Sequence, residues 1–176
     1  MEARCRQRYY EVFNEIIHVP GFEFTRRTRR PPRDPLNAMI SFGNTVLYNR
    51  IAMEVYKSSL DIRVGIVHST NQRSETLNLD IADLFKPILV DRTIFTLINR
   101  RVINIDRDFI RGDDGSVFFS NIGKRIYLGE FNRKLYQKIT EQGKTITYDT
   151  KIKQEIRKLS AYFSRGEKYK AYKYIN

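Results

Sequence analysis

Apolar residues recur near the start of the chain at intervals of three and four: Tyr9, Val12, Phe13, Ile16 and Ile17. That spacing puts them on one face of a helix, so residues 2–18 are expected to be helical, halted ahead of Pro20 and Gly21. After a polar connector the pattern resumes behind Asp34 and Pro35, an N-cap residue followed by a proline suited to the first helical position. Met39, Phe42, Val46 and Ile51 carry the stripe toward Tyr56, which predicts a long, largely buried helix. A third stripe, Leu77, Ile81, Leu84 and Ile88, follows a plausible cap at Ser74. Pro87 is expected to bend that run before it ends near Ile98.

In DFIRGDDGSVFF a DDG turn lies between short β-prone flanks, which allows at most a small hairpin near 106–120. Two more helices are expected at about 121–141 and 150–164, the second with Ile152, Ile156, Leu159 and Phe163 in phase and Gly166 as its stop. The fold class read from these periods is mainly α, a single bundle-like helical domain over 2–165 with a basic Lys/Tyr tail over 166–176. No internal repeat or long heptad seam interrupts that picture.

Charge changes the picture. Thirty-two Lys and Arg against 20 Asp and Glu give a formal +12, which favours a polyanionic partner, nucleic acid or an anionic membrane surface. Residues 120–176 hold 14 basic and 5 acidic side chains, net +9, against +3 for residues 1–119. Within the nearly neutral part, RRTRRPPR crowds Arg26, Arg27, Arg29, Arg30 and Arg33 into one connector, a local anion-binding candidate. No apolar run approaches the roughly 18 residues of a membrane-spanning helix, and MEARCRQRYY has no signal-peptide core, so a cytoplasmic protein without a membrane partner is expected. The lone Cys5 excludes an internal disulfide and any multi-cysteine zinc site.

Against this basic background HSTNQRSETLNLDIADLF gathers a histidine, His68, and two aspartates a helical turn apart, Asp80 and Asp83. On a helix both aspartates flank the buried face as half-buried neighbours. Carboxylates so placed need a proton, a cationic partner or a metal. Pairing with arginines and coordination of a metal both remain open at this level, and a lone histidine is more often a satisfied core residue than a ligand. An oxygen-rich set with one imidazole suits Mg2+ or Mn2+, ions that act on phosphodiesters by polarising a phosphoryl oxygen and activating a hydroxyl. P-loop, HExxH, GxSxG and GxGxxG motifs are absent.

Three blocks, RRPPRDPLNAMISFGNTVLY, GIVHS and LNLDIADLFKPILVDRTIFTLIN, together resemble the C-terminal domain of CRISPR-associated protein one, the metal-dependent integrase of CRISPR spacer acquisition. The resemblance covers roughly residues 2–160. It implies one divalent metal, Mg2+ or Mn2+, coordinated by Glu2, His68 and Asp83 as catalytic residues, with Asp80 in a supporting position. The third ligand is often glutamate in relatives, so Asp83 is a shorter equivalent. The resemblance further implies a DNA endonuclease and strand-transfer enzyme that joins 3′-hydroxyl ends of a short duplex to the CRISPR repeat by transesterification and can cleave branched DNA. Its implied partners are DNA and CRISPR-associated protein two, with a homodimer in full-length relatives.

The arginine connector and the C-terminal lysines are expected to hold the DNA backbone, with Arg27, Arg29, Arg30, Arg33 and, between His68 and the acidic helix, Arg73 as candidates. Relatives often have glycines after the motif histidine where this chain has STNQRSE. They also carry an N-terminal β-rich dimerisation domain, whereas Met1 here directly precedes Glu2; the expectation is an isolated catalytic domain or truncated product. The competing reading is a non-catalytic basic helical module that binds nucleic acid or protein, its acids in structural pairs. A weaker one gives the Lys/Tyr tail a membrane surface.

Overall fold

The computed structural model describes residues 2–67, 75–141 and 143–173, apart from the side chains of residues 2–4 and 6. It is mainly helical, with two small antiparallel hairpins among the described residues. Two compact units divide the chain, each built from two segments: 1–43 with 90–132, and 44–89 with 133–176. They are described in turn.

The first unit opens with α1 (Glu2–Glu11) and α2 (Phe13–Ile16), the helix expected over 2–18 but interrupted at Val12 and ended at Ile16. Its end has a specific cause. The Ile16 carbonyl accepts from the Asn99 side chain at 3.0 Å, and Asn14 pairs through its amide with both backbone groups of Phe24 at 2.7 and 2.8 Å. Helix α3 (Pro35–Val55) starts as predicted, the Asp34 carboxylate accepting from the Asn37 backbone N–H at 2.7 Å. The hairpin of β1 (Phe109–Arg111) and β2 (Val117–Phe119) falls inside the expected window, with Gly115 at φ +77 in its turn. Between α3 and β1 come α4 (Leu77–Asp83), α5 (Arg92–Asn99) and the short α6 (Ile105–Asp108), of which α5 and α6 belong to this unit. Phe13, Phe24, Met39, Ile94, Phe119 and Phe131 are buried in it.

The second unit takes the remainder of α3, then α4, a π-helical turn over 86–91 that begins here and runs into the first unit, and the C-terminal elements. Pro87 does more than bend the third run: α4 stops at Asp83 and the π-helical turn carries Pro87, because a proline has no N–H for the ladder and its ring crowds the preceding turn. Helix α7 (Asn121–Leu135), which belongs to the first unit as far as residue 132, ends six residues before the expected boundary. The residues read as its last turns form β3 (Lys138–Glu141), which pairs with β4 (Lys144–Thr147) in the register Ile139↔Ile146 and Thr140↔Thr145. Five β-branched residues lie on these strands, and Gly143 at φ +75 supplies the turn. Helix α8 (Tyr148–Arg165) is capped by the Thr147 hydroxyl, which accepts from Thr150 N–H at 3.2 Å, and closes at Gly166 in the left-handed conformation. Leu47, Ile51, Leu77, Phe85, Ile152 and Ile156 fill this unit's interior.

Candidate functional site

Helix α4 is held at its N-terminus by a backbone knot. The N–H groups of Thr76 and Leu77 both donate to the Ile62 carbonyl, at 3.0 and 3.1 Å, and the Thr76 hydroxyl donates to the Arg63 carbonyl at 2.7 Å. Leu77, Leu79, Ile81 and Ala82 are buried, which fixes the rotation of the helix and hence the direction of its two aspartates. Asp80 turns back toward the chain: one of its oxygens accepts from the N–H of Ile66 at 2.5 Å and of Val67 at 3.0 Å. Those amides immediately precede His68. A carboxylate that takes two backbone donors fixes the segment that ends at Val67.

Asp83 differs. Both aspartates are expected from sequence to be half-buried, but the side chain of Asp83, the last residue of α4, is 48% exposed. Its carboxylate meets Lys86 Nζ at 2.5 Å. Lys86 is held in turn, with its ammonium 4.9 Å from the centre of the Tyr48 ring. Burial acts to lower the Lys86 pKa, and the Tyr48 and Asp83 side chains outweigh it, so the net shift is upward and the lysine stays charged. Sequence reading passed over Lys86, although its three-residue spacing from Asp83 was the available signal.

His68 and Arg73 lie outside the described residues, and Glu2 is described only as the first residue of α1. The body of that helix is fixed within its own unit. The Tyr9 hydroxyl donates to buried Asp91, and the Phe13 and Phe95 rings pack edge-to-face at 4.7 Å. Burial, and then the Asp91 carboxylate, push the Tyr9 pKa far upward, so the phenol remains a donor. Among the described residues no group of three or more His, Cys, Asp and Glu side chains could hold a metal ion. The described part of the expected ligand set fits a hard cation in one respect. Asp83 presents an accessible anionic oxygen donor whose described partner is an ammonium, the kind of contact a divalent ion could replace.

The connector arginines have separate fates. Arg27 turns inward, its guanidinium donating to Asn37 Oδ1 at 2.7 Å, to Ser41 Oγ at 2.9 Å and to the Thr28 carbonyl. Asn37, fully buried, also donates to the Arg26 carbonyl at 2.8 Å and accepts from Thr28 N–H at 3.1 Å, so it organises the connector that sequence alone showed only as a charge run. Arg33 is exposed yet donates to the Asp114 carbonyl of the β1–β2 turn. Arg29 and Arg30 are exposed as well.

Residues 1–133 match the family model described as CRISPR associated protein Cas1. The chain is 37% identical over 174 residues to the CRISPR-associated endonuclease Cas1 2 of Thermodesulfovibrio yellowstonii, covering 98% of this chain and 52% of that protein. It is 35% identical over 161 residues to the CRISPR-associated endonuclease Cas1 of Thermotoga maritima, covering 90% and 50%. The solved structure of a Cas1 protein from Thermotoga maritima superimposes with a TM-score of 0.83 at 33% identity, over 96% of this chain and 53% of that one. A casposase bound to integration product shares the fold, with a TM-score of 0.85 at 23% identity over 94% and 49%. A chain of a Cas6-RT-Cas1–Cas2 complex matches with a TM-score of 0.82 at 25% identity, over 94% and 18%. The chain spans about half the length of the curated relatives it matches. On the family match over three quarters of its length, together with these relatives, the chain belongs to the Cas1 family.

Proposed function

We propose that this chain carries the metal-dependent chemistry of a CRISPR adaptation integrase and endonuclease. Glu2, His68 and Asp83 would hold one Mg2+ or Mn2+, and Asp80 would fix the backbone that leads into His68. A divalent ion in that set supplies a Lewis acid that polarises a phosphoryl oxygen and offsets the charge gathering there. In the joining step a DNA 3′-hydroxyl oxygen attacks the phosphorus of a repeat phosphodiester. One P–O bond forms, the P–O bond to the departing 3′-oxygen breaks, the nucleophile gives up its proton and the leaving oxygen gains one. With water as the nucleophile the same exchange cleaves branched DNA. The acidic helix keeps Asp83 facing solvent, where a phosphodiester has access, and the Lys86 ammonium beside it lessens the repulsion between carboxylate and scissile phosphate.

DNA is the proposed substrate, and CRISPR-associated protein two and a second copy of the chain the proposed partners; similarity to a chain of a Cas6-RT-Cas1–Cas2 complex supports the first of these. Arg29, Arg30, Arg33 and Arg73 are the proposed backbone contacts. Arg27 is proposed to act mainly by shaping the connector, since its hydrogen bonds are spent on Asn37, Ser41 and Thr28.

The observation that carries this reading is the division of labour on α4: Asp83 accessible at its end, Asp80 one turn earlier bonded to the amides before His68. The test incubates the chain with branched DNA and Mn2+ and compares it with His68→Ala and Asp83→Asn. Both variants should lose more than the roughly 10–100-fold that a supporting residue costs. Activity equal to the parent in either would remove that ligand assignment. The non-catalytic alternative also has an observation in its favour, the Asp83–Lys86 pair, and it requires that Mn2+ binding by titration calorimetry be undetectable in the parent.

A further inference from the structure

The described part of the basic Lys/Tyr tail, residues 166–173, is bonded to the fold. Residues 166–173 form no helix or strand, yet they are tied along their length to α8 and to the end of the acidic helix. Glu155 is the tether: its carboxylate, 1% exposed, accepts from the Tyr169 hydroxyl at 2.6 Å and the Tyr172 backbone N–H at 3.0 Å. Lys158 bonds the same carboxylate at 2.7 Å and donates to the Lys170 carbonyl at 3.2 Å. The Tyr172 ring lies nearly parallel to Phe85, two residues beyond Asp83, with centroids 5.5 Å apart and 14° between planes. Lys151 stands 5.2 Å from the centre of that ring.

A buried carboxylate is costly unless satisfied, so three donors converging on Glu155 mark a defined docked geometry. That geometry sorts the side chains. Tyr169 and Tyr172 turn partly inward, while Lys168, Lys170 and Lys173 are exposed. We propose that residues 166–173 are a docked strap that presents Lys168, Lys170 and Lys173 to the sugar-phosphate backbone of DNA, next to the chain segment that carries Asp83. Tyr162 and Phe163, exposed on the last turn of α8, add aromatic faces of the kind on which unpaired bases stack. A bilayer is the poorer partner, because the strap's tyrosines turn partly inward and its outward face carries three ammonium groups and one carboxylate, Glu167, which pairs with Arg165 at 2.6 Å.

The strap deepens the DNA reading above, so it is tested by binding in EDTA, where no joining occurs and the fate of the metal site has no bearing. Fluorescence anisotropy of a labelled branched DNA is followed from 50 to 200 mM salt for the parent, Tyr172→Ala, Tyr172→Phe and the triple variant Lys168→Ala/Lys170→Ala/Lys173→Ala. Tyr172→Ala keeps every lysine but loses the ring, and it should bind at least about fivefold more weakly through lost preorganisation. Tyr172→Phe, which keeps the ring, should bind more tightly than Tyr172→Ala, and the triple variant should flatten the log–log salt slope by about 2 to 3. Hydrogen exchange should show the Tyr172 amide protected in the parent and released in Tyr172→Ala. Parent-like binding by Tyr172→Ala, an unchanged salt slope in the triple variant, or a Tyr172 amide that exchanges freely in the parent each overturns the strap. Tighter binding of the parent to phosphatidylserine vesicles than to the DNA, lost in the triple variant, overturns the choice of partner.

Discussion

An ammonium and a carboxylate three residues apart, Lys86 and Asp83, meet at the end of α4 where a metal ligand is expected. A cation already in contact with Asp83 competes with any metal that uses it. The exposure of the pair, 23% and 48%, limits its strength to the range of partly screened ion pairs, roughly 0.2–1 kcal/mol. Lys86→Met should therefore bind Mn2+ about two- to fivefold more tightly by titration calorimetry. Asp80→Asn acts in the opposite direction. An amide replaces part of the anionic acceptor beneath Ile66 and Val67, and Mn2+ affinity should fall by about 10–100-fold, as when other supporting partners of metal ligands are lost. Two acids that look alike in LDIAD thus answer differently, since one is bonded to backbone and the other is paired with a side chain.

Close packing in the first unit turns on Gly43 of α3. A Cβ placed there would stand 2.0 Å from the Tyr127 hydroxyl oxygen and 2.8 Å from Val90 Cγ1, so the glycine is required by close approach. Gly43→Ala should cost about 1–3 kcal/mol by overpacking, measured by urea denaturation. Among the described residues the buried Tyr127 hydroxyl has no hydrogen-bond partner, so Tyr127→Phe should be neutral or stabilising, and combined with Gly43→Ala it should recover part of the loss. At the same scale, the β3–β4 hairpin shows how a period can mislead: apolar residues of α7 at helical spacing run on into KITE, but there the β-branched residues find partners across Gly143. Cross-strand pairing is invisible to a reading that looks only along the chain.

Both units hold acids whose pKa is depressed, which makes acid stability a property of the whole molecule. Arg107, bonded at 2.7 and 2.8 Å, holds Asp108 below the usual carboxylate range. For Asp149, burial pushes upward, but Lys153 and Arg50 outweigh it and the net shift is downward. A depressed folded-state pKa means that the unfolded chain binds more protons, so stability rises with pH across that interval. The contribution is complete above the unfolded value near 4 and is lost as pH falls through the folded values. Melting temperature should therefore be flat from about pH 7 to 5 and drop below about pH 4, with a shallower drop in Asp108→Asn; a steeper one would contradict the assignment. At neutral pH the formal +12 remains, and DNA affinity should weaken steeply with salt.

The sequence by itself determined the helical class, the long α3 with its Asp34–Pro35 start, an irregularity at Pro87, the stop at Gly166 and the first hairpin. Each is set by local chemistry: apolar period, a cap, a missing N–H or a left-handed residue. Wording and order of three blocks were enough to point to the family, and DLFK held the Asp83–Lys86 spacing in plain view. Tertiary structure alone decided which way charged groups face. Arg27 turns inward because Asn37 and Ser41 offer acceptors from a different element, and Asp80 reaches amides fourteen and thirteen residues away. Tyr172 lands on Phe85 because buried Glu155 needs donors. A charged side chain takes its partner from whatever folding brings within hydrogen-bond reach, and that partner is separated along the chain by distances no local pattern encodes.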